Sequence, residues 1–141
     1  MSLKLSDLKL SDNGTYICKL VSKELETSIQ VIVGAVSKPV ISHEKTEETE
    51  AVLRCDAKDW YPKPEIEWSD KEGNIIPPFD NNTEPEAEHF FVYSRITVKM
   101  MANNTYTCTV RQQDIGQSRE AHYTFPCKSP LVYFMTRTFK T

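Results

Sequence analysis

No long hydrophobic run occurs anywhere in this chain of 141 residues. A transmembrane helix needs roughly 18 consecutive apolar residues, and no window approaches that, so no span is expected. The first ten residues, MSLKLSDLKL, mix lysines and an aspartate among leucines and lack the apolar core of a secretory signal peptide. Histidine is scarce. His43, His89 and His122 fall on different expected segments, and neither an HExxH helix nor a GxSxG elbow is present. The four cysteines, Cys18, Cys55, Cys108 and Cys127, contain no CxxC pair, which argues against zinc. No Lys/Arg cluster stands out, and a net charge of −3 does not suggest a nucleic-acid binder. The expectation is a non-enzymatic chain: no catalytic residues, no cofactor, no metal, no small-molecule substrate and no nucleic-acid partner.

What the chain does hold is alternation. Leu53/Cys55/Ala57, Ile66/Trp68 and Tyr106/Cys108/Val110 each place their members on one face of a strand. Cys55, a tryptophan about a dozen residues later and Cys108 about fifty later have the spacing of an immunoglobulin sandwich. In that fold a disulfide crosses between two sheets and the indole packs on it, and a tyrosine two residues before the second cysteine, here Tyr106, stands where a tyrosine corner forms. The competing reading is two unrelated buried cysteines in another all-β domain. A sandwich this small buries little apolar surface. A Cys55–Cys108 bridge would contribute about 4 kcal/mol by constraining the unfolded chain, and it requires an oxidising compartment.

Upstream, Asp12-Asn13-Gly14-Thr15-Tyr16-Ile17-Cys18 has the form Asp-x-Gly-x-Tyr-x-Cys. It resembles the motif closing the sixth strand of a variable-type immunoglobulin domain, with Thr27–Val33 reading as the final strand. A self-contained hairpin is the alternative, although two strands alone rarely bury a stable face. The expected organisation is a C-terminal remnant of a variable-type domain over 1–33, a linker over 34–38 punctuated by Gly and Pro, a constant-like domain over 39–126 and a tail over 127–141. Strands are expected at Val40–Ser42, Ala51–Ala57, Ile66–Ser69, Phe90–Lys99, Thr105–Gln112 and Arg119–Phe125. Pro77–Glu88 shows no sustained alternation and reads as loop with at most one weak edge strand.

Three segments carry a closer resemblance. Trp60-Tyr61-Pro62-Lys63-Pro64-Glu65-Ile66-Glu67-Trp68 resembles the loop and third strand of constant-set domains in butyrophilins and related T-cell costimulatory ligands. Phe90–Val98 is similar to the fifth strand of constant-set domains generally, and Gln112–Ala121 to the last hairpin of butyrophilin-like proteins. The resemblance implies a cell-surface ligand on the outer face of the plasma membrane. It implies as partner a protein receptor on lymphocytes, and as outcome an adjustment of T-cell activation and cytokine production. Membrane association would run only through segments outside this sequence. A structural or adhesive spacer module that binds no lymphocyte receptor is the alternative, because sandwiches of this type serve both roles. The resemblance also raises a cis Tyr61–Pro62 bond against the ordinary trans turn.

Four further expectations follow. Three Asn-x-Thr sequons occur, and Asn81 is the first choice for a glycan, Asn103 the second and Asn13 the third. All three are expected in turns or loops. Cys18 should be unpaired, and the uncovered edges of 1–33 should favour association. Cys127 reads as an incidental thiol, poorly placed to reach Cys18. The tail, with its apolar run Leu131–Met135, reads as a stray extension in preference to a docked strand.

Overall fold

Alternating burial draws two sheets together around one disulfide. The structure, a computed structural model, describes residues 3–126; the expectations for Cys127 and the tail lie outside the described residues. In chain order the strands are β1 (Gly14–Leu20), β2 (Leu25–Val31), β3 (Val40–Glu47), β4 (Glu50–Trp60), β5 (Glu65–Ser69), β6 (Ile75–Ile76), β7 (Asp80–Glu86), β8 (His89–Lys99), β9 (Thr105–Gln112) and β10 (Gln117–Thr124). Strands β3-β4-β8-β7 form one four-stranded antiparallel sheet and β10-β9-β5-β6 the other. The two face each other as an immunoglobulin-like β-sandwich.

The inward phase supplies the core. Leu53, Cys55 and Ala57 on β4, Val92, Ile96 and Val98 on β8, and Tyr106, Cys108 and Val110 on β9 are all buried. Cys55 and Cys108 are joined across the sheets with Cα atoms 6.5 Å apart. Trp68 lies opposite Cys108 in the β5–β9 register and is 1% exposed. Tyr106 is buried edge-on against Phe125, ring centroids 6.0 Å apart.

Two elements depart from the alternation. Pro77–Glu88 holds the one edge strand allowed for, longer than a weak one and with loop on either side: β7 pairs with β8 from Asp80↔Arg95 to Glu86↔His89, Pro85 included. The strand leaves only a faint trace in the sequence because its residues are polar, and proline is tolerated on an edge where no second neighbour asks for its missing N–H. In β4 the register shifts between Ala57 and Trp60, with Asp59 at φ +56. The shift turns Trp60 inward to full burial, where strict alternation would have put Asp59.

Among the described residues, strands β1 and β2 pair only with each other. Their hairpin is built by the Asp-x-Gly-x-Tyr-x-Cys segment: the Lys9 N–H donates to Asp12 Oδ2 at 2.7 Å, and the Tyr16 hydroxyl donates to the Asp12 carbonyl at 2.6 Å. Tyr16, Ile17, Leu25 and Ile29 remain exposed, and Cys18 is exposed and without a disulfide partner among the described residues.

The turn from β5 to β6 is held by one carboxylate. Asp70 Oδ1 accepts from the Glu72 and Asn74 N–H groups, both at 2.9 Å, and Oδ2 from the Asn74 amide at 3.1 Å. These bonds favour the ionised form; the Asn74 backbone N–H is the largest influence, and it lowers the Asp70 pKa from its ordinary 3.8. A depressed folded-state pKa gives a contribution fully present above 3.8 and lost as pH falls through the folded value. An NMR titration is therefore expected to put the Asp70 midpoint below 3.8, and Asn74→Ala, which removes the side-chain amide bond but keeps the backbone N–H, to raise it only part of the way. A wild-type midpoint at or above that value would contradict the assignment.

Candidate recognition surfaces

At one end of the sandwich the incoming chain is locked to the β4–β5 loop. Ala35 N donates to Tyr61 O and Tyr61 N to Ala35 O, both at 2.9 Å. The Ser37 hydroxyl donates to the Lys58 carbonyl. The Tyr61–Pro62 bond is cis, and the Tyr61 ring stacks on Phe90 with centroids 6.3 Å apart. Buried Gln112 fastens the same loop: its Nε2 donates to the Lys63 carbonyl at 2.9 Å, while its Oε1 accepts from Asp114 N at 2.6 Å. Both polar ends of that amide are satisfied, so its burial carries little penalty.

Gly34 is required here for space. A Cβ at this position would stand 2.7 Å from both the Tyr61 carbonyl oxygen and Ile115 Cδ1. The isoleucine tip can swing away, but the backbone oxygen cannot. Gly34→Val is expected to cost the junction about 1–3 kcal/mol, as overpacking does. The readout is faster amide exchange at Ala35 and Tyr61, and unchanged exchange would refute the close approach.

The outer face of the β3-β4-β8-β7 sheet carries a charged and aromatic cluster. Arg54 and Arg95 lie directly opposite each other across β4 and β8, a repulsive pairing by itself. Three carboxylates relieve it. Asp56 Oδ1 is 2.7 Å from Arg54 Nε, and this hydrogen bond is the main influence holding the Arg54 guanidinium above its ordinary pKa. Glu44, at the β3 bulge, stands 3.6 Å from Arg54 Nη1 and 3.3 Å from Arg95 Nε. The second contact is an ion pair without hydrogen-bond alignment. Asp80 of β7 is 3.4 Å from Arg95 Nη1. Tyr93 lies beneath both guanidinium groups, 4.3 Å from Arg54 and 5.7 Å from Arg95, with Phe91 beside it. Tyrosine, phenylalanine and arginine presented together are side chains that protein interfaces favour. The signal for this patch was the outward phase of Arg54/Asp56 and Phe91/Tyr93/Arg95, but the partner Glu44 depends on a bulge.

The sequon asparagines are all exposed, in different settings. Asn13 ends the 3-10 turn before β1, and its Oδ1 accepts from Val33 N at 3.0 Å. Asn103 sits in the β8–β9 turn at φ +66. Asn81 stands in strand β7 and not in a loop. Among the described residues, no group of three or more His, Cys, Asp or Glu side chains is arranged to hold a metal ion.

A family model described as the butyrophilin subfamily 3 member A2-like Ig-C domain matches residues 36–120. The chain belongs to this butyrophilin Ig-C family, a family of non-enzymatic proteins. Bovine butyrophilin subfamily 1 member A1 is 27% identical over 130 residues, which cover 89% of this chain and 25% of that protein. Mouse butyrophilin-like protein 2 is 30% identical over 125 residues, 86% of this chain and 28% of that one. Human V-set domain-containing T-cell activation inhibitor 1 is 27% identical over 129 residues, 83% of this chain and 43% of that one. The chain thus spans about a quarter of the length of the butyrophilins it matches. Among solved structures, bovine butyrophilin superposes with a TM-score of 0.65 at 26% identity, covering 86% of this chain and 59% of that one. The mouse nectin-like molecule 4 ectodomain, at a TM-score of 0.64 and 20% identity, shares the fold.

Proposed function

We propose that this chain is part of the ectodomain of a butyrophilin-like ligand. It stands on the outer face of the plasma membrane, engages a protein receptor on lymphocytes and adjusts T-cell activation and cytokine production. In this reading residues 1–33 are the closing strands of a variable-type domain, 34–38 a linker docked on Tyr61, and 39–126 the constant-like domain. The observation that carries it is the Ig-C family match over 36–120 preceded by a Tyr16–Asp12 corner of the variable type. A relative named as a T-cell activation inhibitor supports the immune assignment, and the Arg54/Tyr93/Arg95 face supplies side chains suited to a protein partner. The test is T cells stimulated through their antigen receptor on plates bearing this chain. Proliferation and cytokine secretion should change relative to plates bearing an unrelated sandwich domain; unchanged output would support a spacer module instead.

A further inference from the structure

The two lateral sides of the sandwich are finished differently. On the β3/β10 side the sheets are stitched together: His43 Nδ1 lies 3.2 Å from the Tyr123 hydroxyl, and the His43 ring meets Phe125 edge-on at 5.8 Å. Among the described residues the opposite side ends in two free edges, since there β7 pairs only with β8 and β6 only with β5. The connection between those edges passes through Phe79, which is 59% exposed. An unpaired strand edge beside exposed large apolar side chains is an aggregation hazard that extracellular sandwiches must manage.

Asn81 lies on this open side. It opposes the buried Ser94 in the β7–β8 register and is therefore on the sheet's inner phase, yet it is exposed because β7 is an edge. It stands two residues after Phe79, and Thr83 completes the sequon on the same phase of the strand. A large solvated group on Asn81 would leave along the open side of the sandwich, over the β7 edge, without entering the core.

We propose that Asn81 carries an N-linked oligosaccharide that covers the free β7 edge and the exposed Phe79 beside it. The donor class is an oligosaccharide–lipid diphosphate in the secretory lumen. The Asn81 amide nitrogen displaces the diphosphate at the anomeric carbon: a C–N bond forms, the C–O bond breaks, and one amide proton departs with the lipid diphosphate. The conjugate is neutral and hydrated, so it blocks the edge as charged or proline residues do elsewhere.

The test begins with the full chain expressed in mammalian cells behind a cleavable leader. Site occupancy is read by mass spectrometry after glycosidase treatment in heavy-oxygen water, on secreted and cell-retained material alike, since the sugar is added in the lumen. Asn81 should be occupied, and both Asn81→Gln and Thr83→Ala should remove that one site. An unmodified Asn81 in both fractions overturns the proposal. The shielding is read by hydroxyl-radical footprinting before and after enzymatic removal of the sugar. Oxidation of Phe79 should rise several-fold while Val21 and Leu25, exposed at the far end of the hairpin, stay constant; equal rates at Phe79 would overturn the shielding.

Discussion

Replacing Cys55 and Cys108 together by alanine is expected to lower the unfolding free energy of the sandwich by about 4 kcal/mol, the chain-entropy value for this loop. The two residues lie 53 positions apart, so the bond removes a large share of the unfolded chain's freedom. The effect is severe because domains of this size keep only about 5–15 kcal/mol in total. Denaturant titration of wild type and double variant gives the difference directly. Cys18, exposed on the hairpin, has no disulfide partner among the described residues. A loss below about 1 kcal/mol would show that the sheets hold together without the bridge, against the entropic account.

Trp68→Ala is the second large effect, expected at about 3–5 kcal/mol. The indole is 1% exposed, and no relaxation of β5 can refill its volume while Glu65–Ser69 stays paired with β9. Trp68→Phe should cost clearly less. The Trp68 Nε1–H is buried without an acceptor among the described residues, so phenylalanine removes an uncompensated donor while keeping an aromatic ring. Because Trp68 sits opposite Cys108, combining Trp68→Ala with loss of the bridge should fall short of the sum of the two. Equal costs for the alanine and phenylalanine variants would contradict the orphaned donor.

These two effects fall where the sequence was most legible. Leu53/Cys55/Ala57 and Tyr106/Cys108/Val110 repeat every second residue, and a period of two in a half-buried strand leaves one choice of inward face. Legibility failed where the backbone broke that period. Trp60 becomes a core residue only through the bulge at Asp59, and Glu44 reaches the two arginines only through the bulge after His43. Neither insertion has a composition that announces it. Strand β7 was legible only as a weak edge strand for a different reason: an edge strand with one paired side needs no apolar alternation, and Asp80, Asn81, Asn82 and Glu84 give none. The sheet edge is decided by β8, whose outer hydrogen bonds need a partner, more than by the sequence that supplies it. The same applies to Gln112. Its amide nitrogen is satisfied by the Lys63 carbonyl, far away in the chain, a pairing that no local pattern announces.

The central claim, that this sandwich belongs to a ligand for a lymphocyte protein, is tested most directly by binding. The chain, multimerised on a fluorescent carrier, is applied to resting and activated lymphocytes beside a carrier bearing an unrelated sandwich domain. Staining should exceed that control, saturate with dose and be competed by the unlabelled chain; the Cys55→Ala/Cys108→Ala variant should lose it. Staining equal to the unrelated domain on every lymphocyte population would contradict the ligand reading.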